Sequence, residues 1–215
     1  SQMKELFERV VDVARGAALM TGTTMKYEIT MAFSDYVPND TLGKIAAECM
    51  MEVGAPKWET SDYELAKKFL NSYDPVTLET IKEDIVQTYG GDQLAKILER
   101  PLDDQVHPYV AGVHEYESGS TDVGDVGYAA PTLNLNVSTC CIGNVGHTWQ
   151  MTAQAGSVLG HKGLLTAAKA LALSTIRTME SPEVMETAKA EFVAKTGGVY
   201  HCPLPDDVKP PVGRY

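Results

Sequence analysis

Two short stretches hold the residue types best suited to chemistry. The first is Gly119-Ser120-Thr121-Asp122-Val123-Gly124-Asp125-Val126-Gly127, rich in glycine and aspartate, and the second is Gly143-Asn144-Val145-Gly146-His147-Thr148. His147 lies between Gly146 and Thr148, just past an expected strand, where an imidazole can reach a metal free of helical crowding. A histidine in a surface turn fits the same context. Asp122 and Asp125 can be ligands, or partners that orient a histidine. They can equally bond nearby backbone N–H groups in a glycine-rich turn. Cys141 stands six residues before His147, so a Cys–His nucleophile pair is conceivable, although a strand cysteine is usually a small buried hydrophobe. His107 and His114 flank a proline-containing segment beside Glu115 and Glu117, open to metal ligation or to a solvated loop. His161 and His201 read as structural. The phosphate loop GxxxxGK[ST], the HExxH zinc motif and the GxSxG serine elbow are absent.

Periodicity predicts the elements that must position these residues. Met3, Leu6, Phe7, Val10, Val11, Ala14, Ala17 and Ala18 mark a helix over 3–20. Tyr27, Ile29, Met31 and Phe33 alternate with polar residues as a half-buried strand does. Pro38-Asn39-Asp40 is a turn in which Asp40 can cap a helix over 41–53, stopped by Gly54 and Pro56. Short helices fit 62–72, 75–89 and 92–99, and residues 100–118 read as irregular. Leu133, Leu135 and Val137 alternate with Asn134, Asn136 and Ser138, a second strand running toward Ile142. A helix over 161–179 carries Leu164, Leu165, Ala168, Leu171, Ala172 and Ile176 on one face. Ser181-Pro182-Glu183 restarts a helix that Gly197-Gly198 ends, and the proline-rich tail from Cys202 to Tyr215 should be extended. The sum is an α/β reading.

Composition narrows the partners. The chain has 215 residues, 44% hydrophobic and 22% charged, with a formal net charge of −11. Nucleic acid or an anionic membrane would need a dense basic face, which is missing. No apolar run approaches the roughly 20 residues of a membrane span. The charged first residues do not resemble a signal peptide. Cys49, Cys140, Cys141 and Cys202 form neither a CxxC motif nor a disulfide framework, which points to a reduced, cytoplasmic protein.

The stretch from Gly119 to His147, with Ser-Thr-Asp-Val-Gly-Asp-Val, an Ala-Pro-Thr strand and Gly-His-Thr-Trp-Gln, resembles the aminobenzoyl-glutamate utilisation protein B branch of a zinc peptidase and amidohydrolase family. Carboxypeptidase G and the plant auxin-conjugate hydrolases are relatives. The resemblance covers the whole chain and is most specific at Ser120–Val126 with His147–Gln150. It implies a partial catalytic α/β/α domain of the zinc exopeptidase type over 37–215, preceded over 1–36 by the C-terminal remnant of an α+β lid. It also implies a two-metal site, zinc or manganese, that hydrolyses the amide of aminobenzoyl-glutamate or a similar N-acyl amino acid. By motif, His147 matches a metal ligand; Ser120, Asp122, Asn144 and Gly146 lie on the substrate side. Thr121 stands where a glutamate is commoner.

The family's other ligands and its general base belong to motifs not found here. The expectation is therefore a C-terminal hydrolase portion, inactive alone, that forms a homo-oligomer or pairs with an N-terminal half. A non-enzymatic module pairing through an exposed sheet edge at Tyr27–Phe33 is the alternative. A self-sufficient hydrolase using Cys141, or one metal at His147, is a third.

Overall fold

The computed structural model describes residues 2–113, 119 and 121–209. Ser120, His114, Glu115, Glu117 and the last residues of the tail lie outside the described residues. The described elements are the helices α1 (Gln2–Thr21), α2 (Asp40–Val53), α3 (Thr60–Leu70), α4 (Pro75–Tyr89), α5 (Leu94–Glu99), α6 (Val123–Ala129), α7 (Trp149–Ala155), α8 (Val158–Met179) and α9 (Pro182–Thr196). The chain divides into two compact units, Ser1–Ser34 with His201–Tyr215, and Asp35–Tyr200.

No strand occurs among the described residues, which overturns the α/β reading, its α/β/α catalytic layer and the α+β lid. The alternation itself is real. Leu133, Leu135 and Val137 are half-buried while Asn134 and Asn136 face solvent. A period of two records which side of an extended chain is covered; it does not record whether a neighbouring backbone is there to complete a ladder. Residues 131–140 make no backbone-to-backbone hydrogen bond among the described residues, and 24–33 are likewise without a sheet. The sheet edge expected over 27–33 is thus absent from the described residues. In that unit, Phe7 of α1 packs edge-on against Tyr27 with ring centroids 5.6 Å apart.

The 35–200 unit is organised around α8. Its core joins Tyr63, Ala66 and Leu70 of α3, Ile81 and Ile85 of α4, Leu102, Cys141 and Leu159. Leucines and isoleucines at helical spacing explain α3 and α4, and Asp74 caps α4 by accepting from Val76 and Thr77 N–H. Helix α8 begins earlier than the leucine pattern predicts, because Ser157 caps it and its first turns are lined by glycine. A Cβ on Gly160 would lie 2.2 Å from the Ala155 carbonyl oxygen, and one on Gly163 2.3 Å from that of Ser138. The buried stripe is Leu159, Gly160, Gly163, Ala170 and Ser174, whereas Leu164 and Leu165 are 63% and 62% exposed. The face that the sequence marks as apolar points outward, because the small residues allow closer backbone approach and better packing. Lys162 ties the same helix to α3, its Nζ 2.6 Å from the buried Asp62 carboxylate. Burial raises the Asp62 pKa, but the Glu59 N–H and Lys162 outweigh it and the net shift is downward.

Two local expectations are corrected. Asn39, not Asp40, caps α2 by accepting from Leu42 N–H at 3.0 Å, and Asp40 is the first helical residue. The stretch 119–127 is not all loop: Val123–Ala129 forms α6, whose Gly127 lies close enough to residue 37 that a Cβ would meet the Val37 nitrogen at 3.2 Å.

The start of α2 is held by α9. Glu191 accepts from the N–H groups of Asp40 and Thr41 at 2.6 and 2.9 Å, so a carboxylate sits on the positive end of a helix. Lys195 bridges Glu191 at 2.8 Å and Asp40 at 3.1 Å. Asp40 also accepts from the Tyr109 hydroxyl and the Gly112 N–H, which hold its pKa far below the usual carboxylate range. For Glu191 burial pushes upward, yet Lys195, Thr41 and the two N–H groups bring it from 4.5 down to about 2. A depressed carboxylate stabilises the fold above its unfolded pKa and loses that contribution as pH falls through the folded value. Stability should therefore decline from about pH 4.5 toward about pH 2. In urea titrations Glu191→Gln should cost on the order of 2 kcal/mol at pH 7, with the gap to the parent closing by about pH 2.

Candidate functional site

The segment from Cys141 to Thr148 is a loop pinned at every second or third residue. Ile142 N–H donates to the Pro101 carbonyl at 2.8 Å, and Asn144 N–H turns back to the Cys141 carbonyl at 3.1 Å. Gly143 adopts φ 81° and lies over Ile81, where a Cβ would sit 2.4 Å from Cγ2, so glycine is required on both counts. Val145 N–H donates to the Tyr73 hydroxyl at 2.9 Å. Thr148 closes the loop by donating to the Val145 carbonyl at 2.8 Å while capping α7. Beneath it lies Gln154 of α7, fully buried, accepting from Cys141 N–H and donating to Asn144 Oδ1, both at 2.8 Å.

This scaffold delivers His147 to the surface. His147 and Gly146 are exposed, and Asn144 is half-buried beside them. His147 has φ 58°, a left-handed conformation found at no other described non-glycine residue. Such a conformation costs a side-chain-bearing residue roughly 1–2 kcal/mol and persists where neighbouring contacts impose it. Here the contacts at Val145 and Thr148 do so.

The structure thus brings Asn144, Gly146 and His147 into one loop. Asp122 is the residue preceding α6, where its side chain makes no capping bond. Thr121 supplies the local turn contact instead, accepting from Val123 N–H at 3.3 Å. Asp125 accepts from the Tyr200 hydroxyl at 3.3 Å. His107 pairs with Asp103 at 2.6 Å on an exposed loop. No group of three or more His, Cys, Asp or Glu side chains able to hold a metal occurs among the described residues.

The thiol reading fails on burial. Cys141 is 2% exposed within the core, and desolvation, then the adjacent Cys140, push its pKa up to about 12. A thiol in that state is protonated near neutrality and shielded from substrate.

Tyr73 and Gln154 are the residues that motif reading missed. Tyr73 lies in a turn 72 positions before Val145, and spacing holds no trace of that contact. Gln154 had no usable hydropathy signal: with Gln150, one helical turn earlier, it forms the buried side of α7, while Trp149 and Met151 of the same helix are exposed.

Two measurements check these assignments. His147→Gly should raise stability by roughly 0.5–1 kcal/mol in urea unfolding, since glycine adopts the left-handed conformation without strain. Iodoacetamide at neutral pH should modify exposed Cys202 and spare Cys141 until denaturant is added, as read by peptide mass spectrometry.

The chain is 30% identical over 214 residues to the B subunit of p-aminobenzoyl-glutamate hydrolase from Escherichia coli (strain K12). The match covers 98% of this chain and 44% of that protein's length, in its C-terminal part. No protein-family model matches, and no solved structure does. The chain is therefore similar along nearly its whole length to the C-terminal part of the B subunit of p-aminobenzoyl-glutamate hydrolase, and it spans less than half the length of that relative.

Proposed function

We propose that the chain acts as the C-terminal part of a metal-dependent amidohydrolase that cleaves aminobenzoyl-glutamate or a similar N-acyl amino acid. The observation that carries this is the match along 98% of the chain to a p-aminobenzoyl-glutamate hydrolase subunit. His147 supports it as one metal ligand, for zinc or manganese, because its ring is exposed on a loop fixed from both sides. Asn144 and Gly146 lie beside it on the substrate side. Ser120 and Asp122 belong to the same proposal by motif, Ser120 lying outside the described residues.

The described residues do not make a metal centre by themselves. One imidazole is far from the three or four protein donors that such an ion takes. No catalytic step is assigned to this chain's side chains, and the remaining ligands and the general base are proposed to come from another polypeptide segment. In this reading the partner is the portion of the hydrolase subunit that precedes the matched region in the relative, and the compartment is the reducing cytoplasm. The outward face of α8 suits such a partner: Leu164, Leu165, Ile176 and Met179 are each more than half exposed. No helix among the described residues is long and apolar enough to cross a membrane.

The chain alone, supplied with zinc or manganese, should release no detectable p-aminobenzoate from p-aminobenzoyl-glutamate by chromatography. It should bind zinc weakly by calorimetry, and His147→Ala should abolish that binding. Turnover lost in Cys141→Ala, or a tightly held stoichiometric zinc that survives His147→Ala, would overturn the proposal.

A further inference from the structure

Resting on that reading of the loop, we infer that Asn144 offers an incoming substrate a side-chain amide donor of fixed orientation, and that Gln154 and Tyr73 are the positioning residues that fix it. The ligand chemistry is an oxygen acceptor, carboxylate or amide carbonyl, bound beside His147.

The orientation follows from proton bookkeeping that begins at two backbone groups. The Cys141 N–H can only donate, so the Gln154 atom 2.8 Å away is its carbonyl Oε1. The other end of that amide, Nε2, must then be a donor, and its partner at 2.8 Å in Asn144 must be Oδ1. Nε2 places a second proton on the Gln150 carbonyl at 3.4 Å, so both ends of this fully buried side chain are engaged.

Tyr73 repeats the logic from the other side. Its hydroxyl accepts the Val145 N–H at 2.9 Å, and it donates its proton to Asn144 Oδ1 at 3.3 Å. Two independent donors thus converge on one oxygen and fill its two lone pairs. A flipped Asn144 would set its NH2 against two donors and lose both bonds.

What remains is Nδ2. It bonds to none of the described residues, and no fully buried side-chain nitrogen or oxygen among them lacks a partner, so Nδ2 is unpaired and not sealed from solvent. An amide whose oxygen is anchored by two donors and whose NH2 is left unpaired on the same loop as His147 is a preset donor. It incurs no reorientation cost when an acceptor arrives.

The test is a titration of the 15N-labelled chain with p-aminobenzoyl-glutamate, followed through the side-chain amide of Asn144 and the backbone amides of Gly146 and His147. Glutarate, which has only carboxylates, and 4-aminobenzamide, which has only the amide carbonyl, identify which oxygen is recognised. All three signals should move, with the Asn144 amide protons shifting downfield. Asn144→Asp keeps both inward acceptor bonds but removes the outward donor. It should weaken binding at least tenfold with an unchanged melting temperature. Gln154→Glu replaces the donor facing Asn144 with an acceptor, and should weaken binding through the unaltered Asn144. Tyr73→Phe should broaden the Asn144 amide signals as one of the two anchors is lost. If Gly146 and His147 shift while the Asn144 amide does not, or if Asn144→Asp binds as the parent does, the inference falls and the hydrolase reading stands. If no residue of 143–148 responds to any of the three probes, the placement of substrate at this loop falls with it.

Discussion

The close approach of α8 to the extended segment at Ser138 and Thr139 is the constraint on which the rest of the 35–200 unit depends. Gly163 lets the helix lie where any Cβ would strike the Ser138 carbonyl, and Gly160 does the same against Ala155 at the turn from α7. With the helix so close, Leu159 reaches the core formed by α3 and α4, and Cys141 is drawn in beside it. The loop that follows Cys141 inherits its position from this packing. A bulkier stripe on α8 would push the extended segment away, and the distance from Gln154 to both Cys141 and Asn144 could not be kept at 2.8 Å.

Charge and neutrality are divided between two regions. The α2–α9 junction is ionic, with Glu191, Asp40 and Lys195 meeting at the start of α2, so it responds to acid. The bonds fixing the 141–148 loop join amides, hydroxyls and backbone groups only. No carboxylate or ammonium takes part in those bonds, so the geometry that presents His147 is not held by ion pairs. The loop and the junction are therefore held by different kinds of bond, although both sit in one compact unit.

Much of this was legible in the sequence at the level of helices. Caps and stops carried the signal: Asp74-Pro75 for α4, Ser181-Pro182 for α9, and Gly197, left-handed at φ 75°, for its end. The expected bounds for α1, α2 and α4 fall within two residues of the observed ones. The sheet was not legible, because alternation at 133–137 reports one covered side and pairing depends on another backbone. The buried face of α8 was misjudged for a related reason. Hydrophobicity ranks leucine above glycine, but a helix packed at contact distance buries the residues that permit the contact. The loop bearing His147 was visible as a motif; the Tyr73 contact was not, since a turn tyrosine has no spacing relation to a loop 72 residues later.

Cys141 shows how a site can be misread by residue type. Next to a histidine loop, a cysteine invites a nucleophile, yet the structure uses its backbone rather than its thiol. The N–H fixes Gln154, and through it Asn144, while the side chain fills the core between Leu70, Ile81 and Leu159. A small apolar side chain is what that position demands. A larger one would overpack the cluster it shares with those residues. The burial that makes the thiol unreactive is the same burial that sets the amide pointing at Gln154. Inertness of the sulfur and orientation of the loop are two consequences of one packing arrangement.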